Sequence, residues 1–291
     1  MSAFIGWTLL AISGLIFLWE ILVRTPEDVE LVRANIVLPE LPGELEGRKI
    51  LFFSDLHHRP EPGFRESWVK ACLDKLEYDL LILGGDLIEC SEGAYHFFQM
   101  LEGIRPKLGA YVVHGNNEAR HADCRALKAK YQDLGVAVLD NLGIEIASSR
   151  ETFQILGVND ASIEEDDLDK ALSSVSDSSF RILISHSPEV FPEAKEKGIQ
   201  LVFSGHTHGG QVRFPWIGAL WTDTPRTGLK YQHGIYPEES SLLVLSKGIG
   251  TSKLPIRWLA KPEVYLLTLQ RSKDGLAKVD SISRQKQISP L

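Results

Sequence analysis

The sequence predicts a layered α/β domain carried behind one N-terminal transmembrane helix. Three observations carry this reading. Ala3 to Val23 is almost wholly apolar. Strand-like apolar runs alternate with helix-like periodic segments through the first half of the chain, and further β-rich runs follow at Leu242–Ser246 and Val264–Leu269. The 291 residues, 44% hydrophobic, suffice for one sizeable domain with a real core plus appendages.

The first segment has the length of a bilayer span, since about twenty residues at about 1.5 Å each cover about 30 Å. Glu20 is its only charge and sits near the end, within reach of the interface. Trp7 and Trp19 fit interfacial belts. No basic stretch precedes the segment and no clear small-residue cleavage site follows it, so residues 1–24 read as an uncleaved anchor rather than a signal peptide. Lys and Arg are absent before the span, while Arg24 and Arg33 follow it. The positive-inside rule therefore places the remaining chain on the cytoplasmic side of a membrane crossed once. Cys72, Cys90 and Cys124 show no C-x-x-C spacing, which speaks against a disulfide framework and for a reducing compartment.

Residues 25–48 read as a linker and first strand, with Leu31–Leu38 extended and Pro39 and Pro42 ending it. The main domain is expected over 49–270. Phe64, Trp68, Cys72 and Leu76 recur at helical spacing, which makes Cys72 a core residue. Tyr95–Leu101 and Ala122–Leu134 read as further helices. Ser162 and Glu165 form a capping-box pattern for an acidic helix from Ile163 to Val175, with Glu164–Asp167 as its solvated first turn. Residues 271–291 turn polar and read as a loose tail.

Five apolar runs end in residues with chemistry. Lys49–Ser54 runs into Asp55 and His57. Asp79–Leu83 runs into Gly84-Gly85-Asp86. Ala110–His114 runs into Gly115-Asn116-Asn117-Glu118. Phe180–Ile184 runs into Ser185-His186, and Leu201–Phe203 into Ser204-Gly205-His206-Thr207-His208. In open α/β sheets, ligands gather beyond the carboxyl ends of strands. Gly205 reads as the turn that lets both imidazoles point into one cleft. His, Asp and Asn together suit divalent metals such as Mn, Fe or Zn without selecting among them.

The series D-x-H, G-D, G-N-x-E, H and G-H-x-H, from Asp55 to His208, resembles the calcineurin-like metallophosphoesterases. Downstream, Ser246–Ser252, Leu254–Arg257 and Pro262-Glu263 are similar to a membrane-associated bacterial subgroup of phosphodiesterases and phosphohydrolases, related to enzymes that cleave UDP-2,3-diacylglucosamine. The resemblance implies an α/β sandwich of two facing mixed sheets flanked by helices. It implies two divalent metal ions, one held by Asp55, His57 and His208, the other by Asn116, His186 and His206, with Asp86 bridging. It also implies hydrolysis of a phosphodiester or pyrophosphate by in-line attack of a metal-bridging hydroxide, with Asp86 and His206 in the catalytic set. Glu118 would orient a ligand or cap the next helix.

One departure bears on the substrate. Most of the family has His where this chain has Asn117, and that His resembles a general acid. Asn117, in a position to touch substrate, cannot donate a proton in that role, which favours leaving groups that need little protonation. His58 and His114 are the nearby alternatives, each more in keeping with a structural role. The apolar stretch Val212–Trp221 follows the last ligands directly. It reads either as packed strand and turn or as an exposed patch meeting acyl chains or the bilayer, with Arg213 able to hold a phosphate. A lipid-linked or nucleotide-linked phosphoester is the expected partner. A net charge of -8 with no basic stripe speaks against a nucleic-acid polymer. A broad phosphomonoesterase and a non-catalytic metal-binding membrane scaffold are the alternatives. Oligomeric state is not legible.

Overall fold

The computed structural model describes residues 2–60, 63–90, 94–147, 151–177 and 180–286. The strands are β1 Glu30–Leu38, β2 Lys49–Phe53, β3 Leu80–Leu83, β4 Ala110–Val112, β5 Val136–Val138, β6 Leu142–Ala147, β7 Thr152–Val158, β8 Arg181–Ser185, β9 Leu201–Ser204, β10 Arg213–Phe214, β11 Gly218–Ala219, β12 Gly234–Glu238, β13 Ser241–Leu245, β14 Glu263–Arg271 and β15 Lys278–Gln285. The helices are α1 Ser2–Trp19, α2 Thr25–Glu27, α3 Phe64–Lys75, α4 Ala94–Leu101, α5 Asn116–His121, α6 Cys124–Asp133, α7 Leu168–Ser173 and α8 Phe191–Glu196.

Two mixed sheets are built from these strands. One has the order β15-β1-β14-β2-β3-β4-β5, the other β12-β13-β9-β8-β7-β6. Strand alternation explains how they pack, because successive side chains leave a strand on opposite faces. Ile50, Phe52, Leu80 and Ile82 of the first sheet share a core with Ile182, Ile184, Leu201 and Phe203 of the second. Leu51, Phe53, Leu81 and Leu83 point the other way, onto Trp68, Val69 and Cys72 of α3 and Phe97 and Leu101 of α4. Leu183, Val202 and Leu243 likewise meet Ala171 of α7 and Phe191 and Ala194 of α8. Central strands covered on both faces must be apolar throughout, which is why they appear in the sequence as unbroken runs. The expected sandwich of two facing mixed sheets flanked by helices is the fold observed, with Cys72 in the core.

α1 continues through a π-helical turn, Glu20–Arg24, into α2. Gly6–Glu27 forms one apolar helical stretch of 22 residues, exposed from Gly6 to Trp19 and long enough to cross a membrane. Pro26 follows the π-helical turn and has no N–H to donate back along the helix; the Ile21 carbonyl accepts from the Arg257 N–H instead.

Two sequence expectations are corrected. The acidic helix does not start at a Ser162–Glu165 capping box. Asp160 caps a short 3-10 turn at Ala161–Ile163, Glu164 turns left-handed at φ 61°, and Asp167 caps α7 by accepting from the Lys170 N–H. Asp166 is not part of a solvated helical turn, since its carboxylate is gripped at 3.0 Å by both terminal nitrogens of Arg226. The second correction concerns the polar tail. Lys278–Gln285 forms β15 and pairs antiparallel with β1 as the sheet's edge. The strand is polar because most of its residues face solvent. Residues 287–291 of the expected tail lie outside the described residues.

β15 also brings in a charge. Glu263 is fully buried and ion-pairs with Lys247, and Arg284 of β15 reaches the same carboxylate at 3.0 Å and Glu30 at 3.0 Å. A charge-assisted hydrogen bond contributes about 1.5–3 kcal/mol, the lower end applying where one partner is part-exposed, as Arg284 is. Arg284→Met should therefore lower the melting temperature of the detergent-solubilised protein by about 3–6 °C, at about 2–4 °C per kcal/mol. A loose tail would leave it unchanged.

Candidate metal centre

The carboxyl ends of β2, β3, β4, β8 and β9 converge on one cleft. Asp55 and His57 follow β2, Asp86 follows β3, Asn116 opens α5 after β4, His186 follows β8, and His206 and His208 follow β9. Three groups of donor atoms come close enough to share an ion, all within 4.8 Å of one another: Asp55, His57 and His208; Asp55, Asp86 and His186; and Asp160, His186 and His206. Asn116 lines the same cleft beside Asp86, His206 and His208. All seven ligand positions read from the sequence thus meet in one place.

Asp160 was missed by the sequence reading. It is buried, two residues beyond the end of β7, with one carboxylate oxygen accepting from the Ser162 N–H. The available signal was a sixth apolar run, Phe153–Val158, ending in Asn159-Asp160.

The hydrogen bonds fix which imidazole nitrogen is free. His57 Nδ1 lies 2.7 Å from a Glu89 carboxylate oxygen, His186 Nδ1 lies 2.8 Å from the Gly84 carbonyl, and His206 Nε2 lies 2.7 Å from the Asp223 carbonyl. A nitrogen beside an acceptor must carry the proton, so the opposite nitrogen of each ring presents a lone pair. For His57 and His186 these lone pairs face the carboxylates. His57 Nε2 is 3.6 Å from Asp86 and only 3.2 Å from His208 Nε2, while His186 Nε2 is 3.4 Å from Asp86 and 3.9 Å from Asp55. Asn116 Oδ1, His186 Nε2 and one oxygen of Asp160 are buried with no hydrogen-bond partner. An orphaned buried polar atom costs about 1–3 kcal/mol, and a divalent cation among these atoms would satisfy all of them. The donor set fits such ions.

The charges agree. Burial raises the Asp86 carboxyl, but His186 and His57 outweigh it and hold it well below the usual carboxylate range. Burial, aided by His57 and Arg257, pushes His208 well below the usual imidazole range. Burial disfavours charge on His186, yet Asp86 and Asp160 hold its protonated form well above the ordinary range. The buried carboxylates thus favour positive charge in this cleft.

The backbone is bent at the ligands themselves. Asp55, His57, Asp86, His206 and His208 all have positive φ, between 46° and 68°. Such angles are uncommon away from glycine, and strained residues of this kind cluster at functional sites. Gly205 is therefore not the residue that curls the chain. Its role is close approach, because a Cβ there would lie 2.2 Å from an Asp55 carboxylate oxygen. Gly115 is similar, with Asp86 at 2.2 Å from such a Cβ.

Glu118 both caps and orients. Its buried carboxylate accepts from the N–H groups of Gly115, Asp86, Leu87 and Ile88, which holds the Asp86 loop against α5. Asn117 donates its side-chain amide to the carbonyls of Ile88, at 2.8 Å, and Glu89, at 3.2 Å, so both donors are directed at that loop. Arg213 is not among the residues lining the cleft. Its guanidinium donates to the Gly209 carbonyl and Gln232 and ties down the β10–β11 hairpin. His58, beside Glu66, and His114, beside Asp140, are buried away from the cleft lining. The downstream motif supports Asp55. Gly248 packs on its side chain, the Ile249 and Gly250 N–H groups donate to its carbonyl, and buried Arg257 donates to the carbonyls of Lys247, Gly250 and Ala260.

This fold and this set of strand-end ligands define a metal-dependent phosphoester hydrolase. The chain belongs to the calcineurin-like phosphoesterase family, whose model matches residues 48–210. It is 28% identical over 251 residues to the uncharacterized metallophosphoesterase YkuE of Bacillus subtilis, covering 84% of this chain and 87% of that protein. It is 26% identical over 317 residues to the UDP-2,3-diacylglucosamine pyrophosphatase LpxG of Chlamydia trachomatis, covering 89% and 94%. Among solved structures, the NAD nucleotidase of Haemophilus influenzae shares the fold at a TM-score of 0.50 and 15% identity, over 81% of this chain. The chain spans about half of that nucleotidase, 55% of its length.

The Glu89 carboxylate acts through His57, whose proton position it sets. Glu89→Gln should weaken metal retention about 10–100-fold, read by competition against a fluorescent chelator. Asp86→Asn should lower bound metal per chain, read by elemental analysis, and remove most phosphoesterase activity. Full activity in metal-stripped Asp86→Asn would exclude the assignment.

Proposed function

We propose that this protein hydrolyses a phosphodiester or pyrophosphate of an amphiphilic substrate, lipid-linked or nucleotide-linked, at the cytoplasmic face of a bacterial membrane. The carrying observation is the cleft, about 290 Å³ in volume. Among its lining residues Asp86, Asn116, His206 and His208 form a polar floor, with Arg120, Asp223 and Lys253 as further charges, and Val212, Trp221, Leu254 and Ile256 form the apolar part of the wall. A polar floor with an apolar wall suits a phosphate joined to a hydrocarbon. A UDP-linked diacyl sugar, the substrate for which the Chlamydia relative is named, has both parts.

In this reading Asp55, His57 and His208 would hold one divalent ion and Asn116, His186 and His206 the other. Asp86 would serve both, and Asp160 sits beside His186 and His206. When bound, the ions supply Lewis acidity and a nucleophile derived from water at neutral pH. The protein's own groups do the rest. Glu118 fixes the Asp86 loop, and Glu89, Gly84 and Asp223 set the tautomers of His57, His186 and His206. Asn117, spent on the Ile88 and Glu89 carbonyls, offers no proton to the leaving group.

That last feature generates the test. General acid catalysis typically contributes about 10²–10⁴-fold. Without it, the rate should fall steeply as leaving-group pKa rises across a series of aryl and alkyl methylphosphonate or phosphate diesters. Pyrophosphates should be cleaved well and simple alkyl esters poorly. Bis-p-nitrophenyl phosphate should be preferred over p-nitrophenyl phosphate. A flat dependence would mean that another group delivers the proton, and the case for a pyrophosphate substrate would fall. Preference for the monoester would favour a general phosphomonoesterase, and no turnover with any metal a scaffold.

A further inference from the structure

Among the described residues, a group of exposed apolar side chains outside α1 lies beside the cleft. Trp216 at the tip of the β10–β11 hairpin is fully exposed, at 103% of its reference surface. Ile217, Leu220 and Trp221 are each at least 60% exposed, as is Leu254 on the facing loop. Leaving these side chains in water forgoes the free energy of their burial, and exposed apolar surface gathered in one place marks a contact site.

The position of the patch identifies what it contacts. Trp258 joins it to the N-terminal helix. The Arg213 N–H donates to the Trp258 carbonyl and the Trp258 N–H to the Gln211 carbonyl, which locks the hairpin root to this residue. The Trp258 ring meets Phe214 edge-on at 5.4 Å and Phe17 of α1 edge-on at 5.6 Å. The neighbouring Arg257 N–H donates to the Ile21 carbonyl. The hairpin is thus fastened to the last turns of the apolar helix, the level at which a span leaves the hydrocarbon. Lys253 stands over the Trp221 ring at 5.0 Å, an amphipathic pairing suited to the headgroup layer. Trp221 and Leu254 belong both to this surface and to the cleft wall.

We propose that the β10–β11 hairpin is a second membrane contact, dipping Trp216 and Ile217 into the acyl–headgroup boundary and holding the mouth of the metal cleft against the bilayer. The occupant of the patch is the lipid surface. An amphiphile then reaches the floor ligands along Trp221 and Leu254 without its chains crossing water. The inference rests on the anchor reading and is independent of which phosphoester is cleaved.

The test uses the full chain in nanodiscs holding one chain each. Wild type and Trp216→Phe are compared in plain phosphatidylcholine and in phosphatidylcholine brominated at acyl positions 6 and 7. The difference in emission between the two proteins isolates Trp216. That difference signal should fall at least twofold in brominated discs, and an equal signal in both lipids would overturn the proposal. If Trp216 is unquenched there but becomes shielded from acrylamide when chains are concentrated in vesicles, the face belongs to a second copy and the proposal fails. A second arm uses Ile217→Asp. Turnover of water-soluble bis-p-nitrophenyl phosphate should be unchanged. Turnover of a diacylglyceryl p-nitrophenyl phosphodiester carried in phosphatidylcholine vesicles should fall about tenfold. Equal loss on both, or on neither, counts against membrane docking. Quenching without turnover of either ester would uphold the docking and reject the substrate class instead.

Discussion

The structure depends on Asp55. Its carboxylate, fully buried at the end of a strand of the first sheet, accepts the His206 N–H from the end of a strand of the second at 3.0 and 3.1 Å. Its own N–H goes to Gly85, and its carbonyl takes the N–H groups of Ile249 and Gly250. One residue therefore stitches four strand ends together and presents a ligand atom as well. A charged acceptor with fixed donors is the stronger class of hydrogen bond, and in the dry interior its geometry is enforced. Gly205 and Gly248 are glycines because this carboxylate occupies the space their side chains would need.

Function grows from that constraint. Packing two sheets face to face brings strand ends together, but the apolar core cannot hold polar groups, so the ligands lie just beyond it. There the backbone must leave the extended region abruptly, and five ligands adopt left-handed angles. The cost of those angles is offset by hydrogen bonds from loops that have no other task, such as the one fixed by Glu118. Burial then leaves oxygen and nitrogen atoms in the cleft that a cation would satisfy.

The sequence made much of this legible because each ligand follows an unbroken apolar run, and such a run followed by Asp or His is uncommon without chemistry. The two-sheet core is likewise written in the runs themselves. Other features were not legible for physical reasons. Asp160 sits in an Asn-Asp turn that looks like ordinary loop punctuation until His186 is beside it. Ser162 and Glu165 satisfy a local capping rule, but Arg226, sixty residues away, takes Asp166, and the helix starts later. β15 is polar on both faces because it is an edge, so no alternation betrays it. The left-handed ligands carry no mark at all, since Asp and His are allowed there without requiring it.

The pairing of β15 with β1 has a consequence for how the molecule is made. Arg33 and Gln285, whose side chains hydrogen-bond across that pair, are 252 residues apart in the chain. At about 5–20 residues per second, a ribosome needs about 13–50 s to deliver the second after the first. β1 is also separated from β2 by β14, so the first strand synthesised has no neighbour in its sheet until nearly the last has emerged. The apolar N-terminal segment can enter a bilayer in that interval, whereas the catalytic sheet cannot close. The domain therefore completes its first sheet only after its last strands have been made.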